Sequence, residues 1–279
     1  MIPTVKLPDG TAVPALGQGT WFMGETPGQA KAEVAALREG IELGLTLIDT
    51  AEMYAEGGAE RVVGEAIAGQ RQRVFLVSKV YPHNASATGT AKACAASLKR
   101  LGTDHIDLYL LHWRGGYPLS ETVGAFERLR EAGHIRYWGV SNLDTDEMAE
   151  LESVSPAGAC ATNQVLYNVG ERGIEFDLLP WCRKRNMPIM AYSPLGQAGA
   201  LLRSPALADV ARRHGATPAQ VALAWSLRDG ATISIPKAGT LAHVRQNVAA
   251  AALKLTAENF AAIDSVHKPP GGKLPLAML

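Results

Sequence analysis

Four side chains capable of acid–base chemistry lie at or near the ends of apolar segments in the first half of the chain. Asp49 ends LTLID, Lys79 lies near the end of VFLVSKV, His112 follows DLYLL, and Tyr54 comes shortly after Asp49. A carboxylate buried without a partner is strongly destabilising. Lys79 is the natural partner, since a carboxylate holds an ammonium group charged and oriented. We therefore expect these four side chains to form one site.

Together these groups can protonate a carbonyl oxygen. A tyrosine titrates near pH ~10, and an adjacent lysine ammonium favours the phenolate and lowers the pKa of the phenol. Tyr54 is therefore the predicted proton donor. His112, kept neutral beside Trp113, is predicted to hydrogen-bond the substrate oxygen and orient it.

The sequence offers no nucleophile of its own to attack such a carbonyl carbon. It contains no Gly-x-Ser-x-Gly elbow and no His-Glu-x-x-His or similar metal-binding spacing. The predicted attacking species is a hydride from a bound cofactor, with no metal involved.

The elements that must position these residues alternate between strands and helices. Eight apolar segments have the length of strands and are bounded by turn signals. The first covers residues 15–19, and the others are LTLIDT, RVFLVSKV, HIDLYLLHW, RYWGVSN, ACATNQVLY, MPIMAYSPL and ATISIPKA. Amphipathic segments separate them, such as ETVGAFERLREAGHI with Val123, Phe126 and Leu129 at helical spacing and Gly133 after them. The segment GATPAQVALAWSLRDG has Thr217 as a predicted N-cap and Gly230 as its predicted end.

Near-continuous apolar strands are typical of buried parallel sheets. The pattern predicts an α/β protein, a (β/α)₈ TIM barrel with an N-terminal β-hairpin at the Pro-Asp-Gly turn of VKLPDGTAV. Residues 1–279 are expected to form a single domain. A doubly wound sheet is the alternative, although no predicted strand is followed by Gly-x-Gly-x-x-Gly.

Active sites of such barrels lie at the carboxyl ends of the strands. The residues that close the predicted strands are Thr20, Trp21, Asp49, Lys79, His112, Trp113, Ser141, Asn142, Gln164, Tyr192, Ser193 and Lys237. Any one of them alone is more often structural. Several charged groups at one rim, each requiring desolvation and pairing, indicate a functional site.

Composition limits the other possibilities. Lys and Arg together number 27, as do Asp and Glu, so the formal net charge is zero, which argues against nucleic acid or a membrane surface as partner. The three cysteines form no Cys-x-x-Cys pair, and no apolar stretch approaches the ~18 residues of a membrane span. We expect a cytoplasmic monomer.

Several separated motifs resemble those of the aldo/keto reductase family in order and spacing. They are LIDTAEMYAEGGAERVVGEAI, VFLVSKV, DLYLLHW, WGVSN, NQVLYN, AYSPLGQ and IPKAGTLAHVRQN. The resemblance runs over residues 16–247. Within the family, GQGTWFMGE and CATNQVLYNVGERGIEFDLLPWC are most similar to compact bacterial members that reduce methylglyoxal and other small aldehydes.

The resemblance implies a catalytic tetrad of Asp49, Tyr54, Lys79 and His112, with Tyr54 as proton donor. It also implies an extended NADPH across the barrel mouth, with Tyr192 stacked on the nicotinamide. The other implied cofactor-binding residues are Asp49, Gly19, Thr20 and Trp21 near the ribose, Ser141, Asn142 and Gln164 at the carboxamide, Ser193, Pro194, Leu195 and Gly196 over the pyrophosphate, and Pro236, Lys237, Thr240, His243 and Asn247 at the adenosine 2′-phosphate end.

One position departs from the family pattern. Many members have an arginine on the 2′-phosphate where this chain has His243, with Arg245 two positions later. An imidazole cannot grip phosphate bidentately, so we expect a weaker preference for NADPH over NADH than in the arginine-bearing members.

The predicted substrate pocket consists of Trp21, Tyr54, His112 and Trp113. The connection HWRGGYPLSET and the tail HKPPGGKLPLAML are short. Family members that grip large substrates have longer loops there, so we expect an open pocket for small aldehydes.

The leading hypothesis is NADPH-dependent reduction of small aldehydes and reactive ketones to alcohols. Three alternatives remain at this point: a Schiff-base aldolase built on Lys79, a non-catalytic NADPH-binding regulatory subunit of a membrane channel, and a sugar or polyol dehydrogenase that uses the same site in the oxidative direction.

Overall fold

A computed structural model describes residues 1–279, apart from the side chain of Pro27. An antiparallel hairpin comes first, formed by β1 (Thr4–Lys6) and β2 (Ala12–Pro14). The eight parallel strands that follow are β3 (Gln18–Gly19), β4 (Leu47–Asp49), β5 (Phe75–Val80), β6 (Ile106–Leu111), β7 (Ile135–Ser141), β8 (Cys160–Leu166), β9 (Ile189–Tyr192) and β10 (Thr232–Ser234). All eight predicted strands are present, most of them shorter than their apolar segments.

The strand order identifies the architecture. Each strand from β3 to β10 pairs in parallel with the next one in sequence. Parallel bridges between Leu16 and Ser234 and between Gly19 and Lys237 join the last strand to the first. The predicted barrel with an N-terminal hairpin is thereby confirmed. The doubly wound alternative is wrong, because the strand order never reverses.

Helices connect the strands and cover the outside of the barrel. They are α1 (Ala30–Glu42), α2 (Gly58–Ile67), α3 (Gly89–Leu101), α4 (Leu119–Glu131), α5 (Thr145–Val154), α6 (Leu178–Arg183), α7 (Pro205–His214), α8 (Pro218–Ser226), α9 (Leu241–Ala250) and α10 (Ala257–Val266). The Thr217 hydroxyl accepts from the Gln220 amide and caps α8 as predicted. That helix ends at Ser226, earlier than expected, and Gly230 (φ 67°) follows in the connecting turn.

The strand pleat divides side chains between two cores. Leu47, Val77, Leu108 and Leu110 pack inside the barrel, and the hairpin residue Val13 belongs to the same cluster. The alternate strand residues Ile48, Leu76, Tyr109 and Leu111 pack outward in the cluster that includes the helices. Because side chains alternate with period two, Asp49, Lys79 and His112 each continue an inward series at the carboxyl end of its strand.

Two further properties concern the whole described structure. Among the helices described, none combines the length and apolar character needed to cross a membrane. Cys94, Cys160 and Cys182 are all free thiols.

The inner core gives a direct test of this packing. We expect Leu108→Ala to lower the free energy of unfolding by about 2–5 kcal/mol, because it leaves a cavity inside the barrel where Leu108 is fully buried. Urea denaturation followed by circular dichroism measures the change. The matched variant Leu43→Ala removes a leucine that is 39% exposed at the end of α1 and should cost no more than about 0.5 kcal/mol. Equal losses would contradict the inward assignment of Leu108.

Candidate active site

A cavity of about 400 Å³ opens at the carboxyl ends of the barrel strands. It brings together most of the residues predicted for catalysis, substrate and cofactor. Those that line it are Gly19, Thr20, Trp21, Asp49, Tyr54, His112, Trp113, Ser141, Asn142, Gln164, Tyr192, Ser193, Pro194, Leu195, Pro236 and Lys237. The cavity therefore runs from Asp49, Tyr54 and His112 towards the end of β10, while Lys79 is buried outside the lining.

A buried ion pair lies at the floor of the cavity. The Lys79 side chain is fully buried, and its Nζ donates to Asp49 Oδ2 at 2.8 Å and to the Thr50 carbonyl at 2.9 Å. The same ammonium donates to the Tyr54 hydroxyl at 3.2 Å. Asp49 Oδ1 accepts from Gln164 Nε2 at 2.8 Å. Each charge is thus paired, which resolves the buried carboxylate at the end of β4.

Burial and pairing act against each other on the pKa of Lys79. Burial lowers this pKa, but the Asp49 carboxylate and the Tyr54 hydroxyl together outweigh burial and raise it. Lys79 is therefore a permanent cation at neutral pH.

The predicted lowering of the Tyr54 pKa is wrong. Burial raises the pKa of this phenol more than the Lys79 ammonium lowers it, and the Asp49 charge raises it further. Sequence reasoning counted the neighbouring cation and underestimated desolvation. Tyr54 stays protonated in this structure. Because Lys79 donates to the phenol oxygen, the proton of Tyr54 remains free to point into the cavity.

His112 lies next to Tyr54 in the cavity lining. The two rings meet edge to face with centroids 5.7 Å apart, and the Trp113 ring also packs on the imidazole, with centroids 4.8 Å apart. Burial, reinforced by the Lys79 charge, lowers the pKa of His112 to about 2. The imidazole is therefore neutral, as the sequence predicted, and can donate a single N–H.

Amide and hydroxyl groups line the neighbouring wall. The Tyr192 hydroxyl donates to Asn142 Oδ1 at 3.0 Å, while Asn142 Nδ2 donates to the His112 carbonyl at 3.2 Å. Ser141 Oγ donates to the Gln164 carbonyl at 2.8 Å. These bonds fix the side chains at the ends of β7, β8 and β9 relative to one another.

The far end of the cavity is cationic. Lys237 is exposed there, and Thr240 caps the N-terminus of α9 by accepting from the His243 amide at 3.3 Å. Arg245 donates to Glu39 on α1 at 2.8 Å, so its guanidinium is already engaged. A lysine beside a helix N-terminus favours an anion at this position.

Four predicted cofactor residues do not line the main cavity. Gly196 lines an adjacent cavity of about 520 Å³ that shares Ser193, Gln197 and Leu279 with the first. Thr240, His243 and Asn247 lie beyond the lining, around α9.

Seven residues that line the cavity escaped the sequence analysis: Phe22, Met53, Gln197, Ala198, Ile235, Met278 and Leu279. Five of these adjoin predicted site residues in sequence or extend the SPLG segment, so widening each motif by a few residues would have found them. The tail residues carried no such signal. The short tail nevertheless reaches the site, since Met278 and Leu279 line the cavity.

Strained backbone surrounds the cavity. Non-glycine residues with positive φ include Phe22, Asn142 and Ser193 at its lining and Ala55 and Glu56 directly after Tyr54. Such conformations persist only where the surrounding structure holds them, and they concentrate at functional sites. In the described part of the chain, no three His, Cys, Asp or Glu side chains are grouped so that they could hold a metal ion.

The depressed pKa of His112 has a measurable consequence for stability. The unfolded chain takes up a proton on His112 below about pH 6.5, but the folded protein does so only near pH 2. The contribution of His112 to folding stability is therefore complete above about pH 6.5 and is lost as the pH falls from there towards about 2. From about pH 7.5 to about pH 5, we expect the unmodified protein to lose about 2 kcal/mol more unfolding free energy than His112→Gln. Parallel losses, measured by urea denaturation at each pH, would mean that His112 protonates in the folded state.

Comparisons with known proteins identify the family of the chain. The family model described as Aldo/keto reductase family matches residues 15–268. Methylglyoxal reductase YeaE of Escherichia coli K12 is 56% identical over 272 residues, which cover 96% of each chain. The crystal structure of an aldo/keto reductase from Klebsiella pneumoniae in complex with NADP and acetate superimposes with a TM-score of 0.96 at 52% identity over all of both chains. A second Klebsiella structure, in complex with NADPH, gives a TM-score of 0.97 at 52% identity, again over all of both chains. The chain belongs to the aldo/keto reductase family.

Proposed function

We propose that the protein is an NADPH-dependent oxidoreductase that reduces small aldehydes and reactive ketones to alcohols, with Tyr54 as proton donor. The observation that carries this proposal is the hydrogen bond from the buried Lys79 ammonium to the Tyr54 hydroxyl at 3.2 Å. A carbonyl oxygen that gains negative charge needs a nearby acid, and this arrangement supplies one at the cavity floor.

Each member of the proposed tetrad has a separate task. Tyr54 gives its proton to the carbonyl oxygen, and Lys79 stabilises the phenolate that remains. Asp49 keeps Lys79 charged and fixed, at 2.8 Å. His112, neutral and next to Tyr54, donates an N–H to the same oxygen and orients the substrate. When bound, NADPH supplies the hydride.

The residues present fit NADPH by their chemistry. The aromatic ring of Tyr192 and the amides of Asn142 and Gln164 meet at one end of the cavity, and cationic Lys237 lies at the other. Gln164 Nε2 is already engaged by Asp49, which leaves its Oε1 as the atom that accepts from a carboxamide. Ser193, Pro194 and Leu195 lie between these ends and would hold the pyrophosphate, while Lys237 would meet the 2′-phosphate. Both Klebsiella relatives were crystallised with this cofactor in one of its redox forms.

The substrate class follows from the walls of the cavity. Four neighbouring rings form one wall: the centroids of Trp21 and Tyr54 are 6.5 Å apart, those of Tyr54 and His112 5.7 Å, and those of His112 and Trp113 4.8 Å. This aromatic wall and the tail residues Met278 and Leu279 leave space for a small carbonyl compound. The E. coli relative is named a methylglyoxal reductase, which supports methylglyoxal or a similar small aldehyde as substrate.

The structure disfavours two of the alternatives. A Schiff-base lysine must lose its proton and reach the substrate, whereas Lys79 is fully buried, held by three oxygen acceptors, and has a raised pKa. A non-catalytic NADPH-binding subunit has no need of the complete set of acid–base groups. Oxidation of a sugar or polyol uses the same groups in reverse, and the ratio of the two rates decides the preferred direction.

The same proposal extends to organisation and location. Residues 1–279 form one domain. The hairpin residues Val5 and Val13 pack in the inner core of the barrel, and Leu276 of the tail packs on the outer core. The protein is a monomer in the cytoplasm, consistent with three thiols that remain unpaired.

Tyr54→Phe tests the proton donor. We expect methylglyoxal-dependent oxidation of NADPH, followed by its absorbance, to fall about a hundredfold or more while the Kd for NADPH stays nearly unchanged, because the phenol acts on the substrate oxygen only. Tyr137→Phe is the matched control, since its hydroxyl bonds Asp9 at the opposite end of the barrel, and it should keep full activity. If NADPH binds to the unmodified protein but no aldehyde in a panel oxidises it, a regulatory role replaces the reductase.

Lys237→Ala tests the 2′-phosphate contact. We expect the Kd for NADPH to rise about tenfold or more and the Kd for NADH to stay within about twofold, because only NADPH carries the phosphate that Lys237 meets. Fluorescence titration of both cofactors measures the split. Lys6→Ala, an exposed lysine on β1, should alter neither value. An equal effect of Lys237→Ala on both cofactors would mean that Lys237 does not contact the phosphate.

A further inference from the structure

The backbone directly after Tyr54 has an unusual conformation. Ala55 (φ 50°, ψ 40°), Glu56 (φ 51°, ψ 45°) and Gly57 (φ 79°, ψ 6°) form three consecutive left-handed residues before α2 begins. Residues with a Cβ visit this region as single residues, and rarely in succession. The turn therefore depends on outside contacts to keep its shape, and with it the direction of the Tyr54 side chain.

Arg100 of α3 provides one such contact. A Cβ built on Gly57 would lie 2.4 Å from Arg100 Cδ and 2.5 Å from Arg100 Nε, so the arginine stem lies directly on the Gly57 backbone. Arg100 Nε donates to Glu60 Oε2 at 2.5 Å, and Nη2 donates to Ser97 Oγ at 3.1 Å. Two hydrogen bonds thus hold the guanidinium while the arginine stem covers the turn.

Glu60 connects this contact to the catalytic strand. Its side chain is fully buried in the first turn of α2, three residues after Gly57. Its second oxygen accepts from Ser78 Oγ at 2.7 Å, and Ser78 is the residue before Lys79 on β5. One buried carboxylate therefore ties the helix that follows the Tyr54 turn to both α3 and the strand that carries Lys79.

A contribution to folding stability does not by itself explain the buried pair of Glu60 and Arg100. Burying a charged pair is often no more stabilising than apolar packing of similar volume, although breaking the pair is destabilising. Neither Glu60 nor Arg100 lines the cavity. What the pair does define is the relative position of two elements, one bearing Tyr54 and the other Lys79.

We propose that Glu60 and Arg100 are positioning residues that clamp the left-handed turn of Ala55, Glu56 and Gly57 against β5 and so keep the Tyr54 hydroxyl within hydrogen-bonding distance of Lys79 Nζ. This inference rests on the proposed role of Tyr54 as proton donor. It assigns Glu60 and Arg100 to the proton-transfer step, in which both act through Tyr54.

The first test is Glu60→Gln, which keeps the size of the side chain and a hydrogen bond to Ser78 but removes the charge that holds Arg100. We expect kcat to fall about tenfold or more, since a shift of about 1 Å at a catalytic group can cost up to about a hundredfold. The Kd for NADPH should stay within about twofold. Arg100→Met should lower kcat similarly, and Arg100→Lys should restore part of it. Because Arg100 is partly exposed, these variants keep the test valid if Glu60→Gln does not fold.

A double-mutant cycle separates positioning from general damage. In single-turnover measurements at high enzyme concentration, Glu60→Gln should have no further effect on the residual rate of Tyr54→Phe, because a residue that acts through Tyr54 has nothing left to orient. An equal proportional loss in both backgrounds would overturn the proposal.

Asp107→Asn is the matched control. Asp107 is also a buried carboxylate, and it pairs with Arg71 at 2.7 Å and Arg136 at 3.0 Å near the start of β6, away from the cavity. We expect it to lower the thermal unfolding temperature with kcat unchanged. A loss of kcat as large as that of Glu60→Gln would mean that the effect of Glu60→Gln on kcat reflects lost stability. It would overturn the proposal. Full activity in Tyr54→Phe alone would instead remove the proposed proton donor, and the positioning role with it.

Discussion

The site depends on one buried ion pair. Asp49 and Lys79 lie at the carboxyl ends of adjacent strands, where each charge would be strongly destabilising alone. Removing one partner from such a pair typically costs about 3–5 kcal/mol, because the other charge is left buried. The two charges are therefore tolerated in the barrel only together. The Tyr54 hydroxyl and the Gln164 amide are both hydrogen-bonded to the pair.

The barrel accounts for how three strands deliver these groups to one place. The inward residues of β4, β5 and β6 form an apolar core, and the last inward residue at each carboxyl end is polar. The strand register is staggered, because Asp49 pairs with Val77 and Lys79 pairs with Leu110. Lys79 therefore lies two residues beyond the partner of Asp49, and His112 lies two residues beyond the partner of Lys79. Apolar packing below and aromatic rings above leave little water at the pair, which strengthens the electrostatics of the whole site.

Much of the fold and of the candidate site could be predicted from the sequence, for identifiable reasons. Eight near-continuous apolar segments of strand length, alternating with amphipathic segments, predicted the barrel, and the rule that sites lie at strand ends predicted Asp49, Lys79 and His112. The sign of the Tyr54 pKa shift was wrong because it depends on the depth of burial, which spacing does not encode. The left-handed turn at Ala55 and Glu56 carried no Asn or Asp signal, and the path of the tail to the cavity depends on tertiary packing alone.

The end of the chain at the cavity rim affects how the protein can be handled and altered. Since Leu279 lines the cavity, any peptide fused after it, including a purification tag or a fluorescent reporter, begins at the cavity. A fusion before Met1 begins instead beside the hairpin, at the closed end of the barrel, where Met1 is fully exposed. The two termini are therefore not equivalent sites for attachment or immobilisation.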